Sequence, residues 1–240
     1  MPKGAQRLST EDAIQRVIQI TPLLARDTWH ALRVRSALHC ANEVVGRINF
    51  GQPTEFGDTY NVIQNSLALT VAVALARLFD VSNPKRHPIE EQDKASIPVL
   101  AHLMMREDTL EYLARRAQKW TPDLIQGAEL GETTCRQAAA SVLSQYENFS
   151  KSFTSQEALS RVRDFRTNRL SHNLFGSQLS ERDHPRFDDL DLLADFARDF
   201  VRPAVLAVEG IDRDLAREEE IKSKMDIRFW DVSLSATLKP

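Results

Sequence analysis

The sequence predicts an all-α fold, and three observations carry that prediction. Glycine is scarce, at 8 of 240 residues, and aromatic residues make up only 7% of the chain. Long stretches rich in Ala, Leu, Arg and Glu hold the residue types with the highest helix propensity. Apolar residues recur three and four positions apart through most of these stretches, the spacing of one helix face. A hydrophobic fraction of 42% and a charged fraction of 27% are those of an ordinary soluble globular protein. The formal net charge of −3 excludes a polycation, so contact with nucleic acid would need a local basic patch.

The elements follow in order. Ser9, Thr10, Glu11 and Asp12 put hydroxyls and acids ahead of Ile14, Val17 and Ile18, which marks a helix start. A second helix is expected from Pro22 to Ile48, because Pro suits a first helical turn and Gly51, Pro53 and Gly57 form a breaker cluster beyond it. Asp58 is a good N-cap for a third, which carries Val62, Ile63, Leu67, Leu69, Val71, Val73, Leu75, Leu78 and Phe79. No charge falls between Asp58 and Arg77, but the strongly apolar run from Leu67 to Ala76 is short for a membrane span. A central helix buried on most sides is expected instead.

Pro84, Pro88 and Pro98 mark a long loop, followed by helices over about 96–120 and 132–149. Ser155 is the expected cap of the next helix, which should end near Gly176. A polar loop over 180–185 precedes an amphipathic helix from about Asp188 to Val208, with Leu192, Leu193, Phe196, Phe200 and Val201 at helical spacing. Arg217 to Glu220 reads as a solvated helical face. Residues 226–238 alternate roughly as a strand would, through Ile227, Phe229, Val232, Leu234 and Ala236. The two cysteines, Cys40 and Cys135, are expected as buried free thiols. Met1 to Arg7 lead into polar sequence without the apolar core of a signal peptide, so the expected compartment is the cytoplasm.

The helix beyond Ser155 holds the most informative residues. With Val162 at zero and about 100° per residue, Ala158, Leu159 and Phe165 form an apolar stripe within about 60°. Farther along the same face stand Arg169 at about −20°, Asn173 at about +20° and Arg166 at about +40°, with His172 on the flank at about −80°. The stripe thus changes from apolar to cationic and hydrogen-bonding groups without changing face. Unpaired buried charge is expensive, so this face should line a pocket, a partner surface or an anion site. Alternatively, its arginines form ion pairs with acids of neighbouring helices and His172 caps the helix end. Arg163 is expected to be exposed. Asn168 and His172, at i and i+4, are placed to hydrogen-bond. His39 and Glu43 share a face, but no third ligand stands at a metal-like spacing. Phosphate-cradling glycine loops, nucleophile elbows and paired-cysteine metal sites are not seen.

Arg166 and His172, with five residues between them, resemble the Arg-x4-6-His motif of the HEPN superfamily. The segments Tyr60 to Leu69 and Ala76-Arg-Leu-Phe-Asp80, followed by Arg166-Thr-Asn-Arg169-Leu-Ser-His172, resemble the abortive-infection branch of that superfamily. The resemblance spans about residues 30–175. It implies an all-α, HEPN-like helical bundle that commonly dimerises, and in active members metal-independent cleavage of RNA, here in phage defence or as the toxin of a toxin–antitoxin pair. Residues 26–210 would be the bundle, with an N-terminal helical extension over 1–25 and a C-terminal extension over 211–240.

On this reading Arg166 and His172 are catalytic, and Asn168, Arg169 and Asn173 support them or bind RNA. No cofactor and no metal are expected. The partners would be RNA, a second copy of the chain and an antitoxin or defence protein, with no membrane. The family often has Asn, Asp or His directly after the arginine, where this chain has Thr167. A non-catalytic module that binds nucleotide, RNA or protein through the same face is the alternative.

Overall fold

The computed structural model describes residues 8–48, 57–167 and 185–237. Among them the chain is a bundle of eight α-helices with no strand. The first helix, α1 (Thr10–Ile48), is 39 residues long, roughly 58 Å at 1.5 Å per residue. It is the rod around which the rest assembles, with α2 (Gly57–Leu78), α7 (Phe187–Glu209) and α8 (Leu215–Thr237) packed along it.

The break expected before Pro22 does not occur. A proline in a helix interior forfeits a hydrogen bond and crowds the preceding turn. Here Ile20, Thr21, Leu24 and Ala25 are all buried around it, and tertiary packing holds the helix continuous.

The stretch expected as one helix over 96–120 is two, α3 (Ile97–Met104) and α4 (Glu107–Ala117), separated where Arg106 turns extended. Helix α5 (Gly127–Lys151) leads almost directly into α6 (Phe153–Phe165). The cap of α6 is Ser152 rather than Ser155: its hydroxyl accepts from the Ser155 backbone N–H at 3.3 Å. Helix α7 closes the core with Phe196 and Phe200, which cluster with Phe79 and Phe149 at centroid separations of 4.0 to 5.8 Å. Both cysteines are buried and free.

Two expectations are corrected. Residues 226–237 are not a strand but the last turns of α8. The face of α8 against α1 is polar in type. Glu219 pairs with Arg35 and Asp226 with Arg33, each at 2.8 Å, while the Trp230 indole donates to the Ala37 carbonyl at 3.1 Å. Its apolar residues Ile221, Met225, Phe229 and Val232 are exposed instead. Such a helix does not read as amphipathic in the usual sense.

The second correction concerns α2, which is not buried on most sides. Val71, Ala72, Leu75, Ala76 and Leu78 enter the core, whereas Val62 is 66% exposed, and Ile63 and Leu69 are exposed too. Asn42 of α1 meets Tyr60 and Gln64 along one side of these early turns, at 2.6 and 2.8 Å. By length and composition α2 is also the one helix among the described residues apolar enough to cross a membrane.

Candidate functional site

The C-terminal end of α2 and the C-terminal end of α6 meet, and the candidate site lies where they do. Phe79 is fully buried in the aromatic cluster, which fixes the chain direction just beyond α2. Asp80 follows directly and is partly exposed. On α6, Ala158, Leu159 and Val162 are buried and seat the helix in the core. Arg163 and Arg166 stand three residues apart at its C-terminal end.

The two ends are joined by polar contacts. The Arg163 guanidinium donates through Nη2 to the Phe79 carbonyl at 2.6 Å. The Arg166 Nη1 lies 3.2 Å from Asp80 Oδ1, with 38% of the arginine side chain and 32% of the aspartate side chain exposed. The pair is therefore open to solvent and not sealed inside the bundle. Lys94 Nζ completes the cluster at 2.8 Å from Asp80 Oδ2. It is delivered by a loop organised around buried Gln92, whose amide accepts from Ser82 N–H at 2.6 Å and donates to the Ser82 and His87 carbonyls.

The electrostatics favour an anion. Lys94, Arg163 and Arg166 gather around one carboxylate, Asp80. The nearest further acid on the helix, Asp164, is exposed and accepts from Ser160. Partial burial alone would raise the Asp80 carboxyl, but the Lys94 hydrogen bond and the Arg166 charge outweigh it and hold it below its ordinary range. Burial pushes the Arg163 guanidinium down, against the pull of Asp80. Arg163 is thus half-buried and not exposed as expected; the Phe79 carbonyl draws it in.

The sequence-derived site residues fall into two groups. Arg166 is placed as described, and it makes the ion pair that the alternative reading of this face anticipated. His172, Asn168, Arg169 and Asn173 lie outside the described residues. The regular α-helix gives way at Arg166 and Thr167 to a wider, π-type turn, so angles drawn for an unbroken α-helix do not carry past Phe165. Asp80 was visible in the sequence only as the end of a segment, with no role attached, and Lys94 carried no signal at all.

Other polar clusters are internally matched. A cavity of about 580 Å³ between α1, α7 and α8 is lined by Arg35, Arg198 and His39, together with Asp191, Asp195 and Glu219, which pair among themselves. Among the described residues no group of three or more His, Cys, Asp or Glu could hold a metal ion.

A family model described as HEPN AbiU2 matches residues 14–226, nearly the whole chain and both segments of the site. No curated protein and no solved structure matches it.

Proposed function

The chain belongs to the HEPN AbiU2 family, an abortive-infection-associated group of helical domains, and on that premise we propose that it is a metal-independent endoribonuclease acting in phage defence or as a toxin held in check by an antitoxin. The observation that supports this best is the meeting of Asp80 and Arg166 at 3.2 Å on an open, cation-rich corner. Those two residues come from the two segments that carry the family resemblance.

The chemistry needs few groups. A base takes the proton from a ribose 2′-OH, whose oxygen attacks the adjacent phosphorus. The 5′-oxygen of the next nucleotide leaves and takes up a proton from water, giving 2′,3′-cyclic phosphate and 5′-hydroxyl ends. Histidine titrates near neutrality and suits the base, the role assigned to His172. The guanidinium of Arg166 suits the phosphate oxygens, whose charge grows in the transition state. Asp80 pairs with Arg166 through Nη1 and orients its guanidinium. Asn168, Arg169 and Asn173 are proposed to contact the RNA. A second copy of the chain would present the same corner across a two-fold axis.

The test is direct. Purified protein incubated with single-stranded RNA in excess chelator is expected to produce fragments ending in 2′,3′-cyclic phosphate. Intact RNA, or fragments ending in 3′-hydroxyl groups, would contradict the proposal. A second reading, a non-catalytic module binding RNA or protein, is favoured by the partial neutralisation of Arg166 by Asp80. It predicts RNA binding without any fragments.

A further inference from the structure

Next to the Asp80–Arg166 corner lies a small cavity of about 170 Å³ that the reaction above does not use. Its walls are Phe79, Pro98, Tyr146, Phe149 and Leu159, all apolar except for the tyrosine hydroxyl. Ser150 and Gln156, both exposed, stand at its rim, and Arg163 forms one side. Of the five N–H donors of a guanidinium, Arg163 uses one on the Phe79 carbonyl. No carboxylate among the described residues lies within ion-pair distance of it, although burial weakens its charged form. A cation so placed is costly to desolvate unless a ligand supplies acceptors.

We infer that this cavity is a nucleobase pocket selective for guanine, and that Arg163 is the residue that reads the base. The inference rests on Arg166 being the group that holds the RNA phosphate. Three observations converge. The walls are apolar and partly aromatic, the lining that takes the face of an unstacked base. The guanidinium fork matches the paired O6 and N7 acceptors of guanine, whereas adenine offers an N6 donor in place of O6 and repels it. Gln156 donates through Nε2 to the Phe149 carbonyl at 3.1 Å, which leaves its Oε1 as an acceptor for the N1–H and amino groups of guanine.

The placement suits one strand of RNA. Phe79, whose carbonyl holds Arg163, and Asp80, whose carboxylate holds Arg166, are consecutive residues. Arg163 and Arg166 are three residues apart, and the charge of Arg166 is felt at Arg163. A base in the cavity and a phosphate at Arg166 therefore belong to neighbouring parts of a single nucleotide step.

Calorimetric titration of the full chain with guanosine 5′-monophosphate, adenosine 5′-monophosphate and inorganic phosphate tests this. The guanine nucleotide is expected to bind about tenfold or more tighter than the adenine nucleotide. Arg163→Gln should erase that difference. Ser150→Trp, a change at an exposed rim position, should block entry and weaken the guanine nucleotide while leaving the thermal melt unchanged; it serves as the test if Arg163→Gln does not fold. Equal affinity for both nucleotides, affinity accounted for by phosphate alone, or a preference that survives Ser150→Trp would overturn the inference. A guanine preference without RNA cleavage would leave the pocket standing and remove the ribonuclease. Cleavage indifferent to guanine would do the reverse.

Discussion

Replacing His172 or Arg166 with alanine is expected to lower the rate of RNA cleavage by about 10²–10⁴-fold, with RNA binding retained in the His172 variant. The two losses have different origins. Without the imidazole, the 2′-OH must give its proton to water, which lacks both position and suitable basicity. Without the guanidinium, charge developing on the phosphate meets fewer fixed donors, and Lys94 alone is a point charge without the planar fork. The Arg166 variant should also bind RNA more weakly. Single-turnover kinetics in chelator separate these effects, because losing a group used only in the transition state lowers the chemical rate without changing substrate affinity. Cleavage undiminished in the His172 variant would remove that residue from the mechanism.

The second large effect is on stability. Arg35 is 8% exposed and ties three helices together. Its Nη1 meets Asp195 Oδ1 of α7 at 2.8 Å and the Asp191 carbonyl at 3.3 Å, and its Nη2 meets Glu219 Oε1 of α8 at 2.8 Å. Burial would depress its charged form, but the Glu219 and Asp195 contacts outweigh that and raise it. Arg35→Ala leaves Glu219 inside the α1–α8 seam with only Arg198, 4.0 Å away, as a cation, and removing one partner of a buried pair typically costs about 3–5 kcal/mol. Arg26→Ala, at an arginine whose side chain is 68% exposed beside Asp27, should cost about 0–1 kcal/mol. Denaturant midpoints of the two variants give the comparison; a small loss for Arg35→Ala would show that α8 is held by packing and not by its charges.

Helices α5, α6 and α7 were legible because their apolar residues repeat at helical spacing and are the residues the core buries. Helix α8 misled for the opposite reason. Its inward face is built from Glu219, Asp226 and Trp230, which make sense only opposite Arg33 and Arg35 of α1. Periodicity scores hydrophobicity, and there Ile221, Met225, Phe229 and Val232 face out. The exposure of Val62, Ile63 and Leu69 was illegible for a related reason: an apolar stretch shows that a surface can be covered, and tertiary arrangement decides whether it is.

The candidate site was half legible. Arg166 stood out because it interrupts an apolar face, and the family resemblance paired its segment with the one ending at Asp80. What no spacing argument gives is the contact between them. Arg163 was misjudged because its angle from Val162 puts it on the flank, where only a neighbouring backbone carbonyl could draw it inward. Lys94 arrives on an irregular loop set by Gln92, and side chains placed by irregular loops leave no periodic trace.

The proposed activity depends on the ends of α2 and α6 building one working site through Asp80 and Arg166. A double-mutant cycle on RNA cleavage, using Asp80→Asn, Arg166→Ala and the combination, measures that dependence. If Asp80 acts by positioning Arg166, it should slow cleavage alone and add nothing once Arg166 is gone. Losses that simply add, or an Asp80→Asn protein that cleaves as fast as the wild type, would show that Asp80 does not act through Arg166.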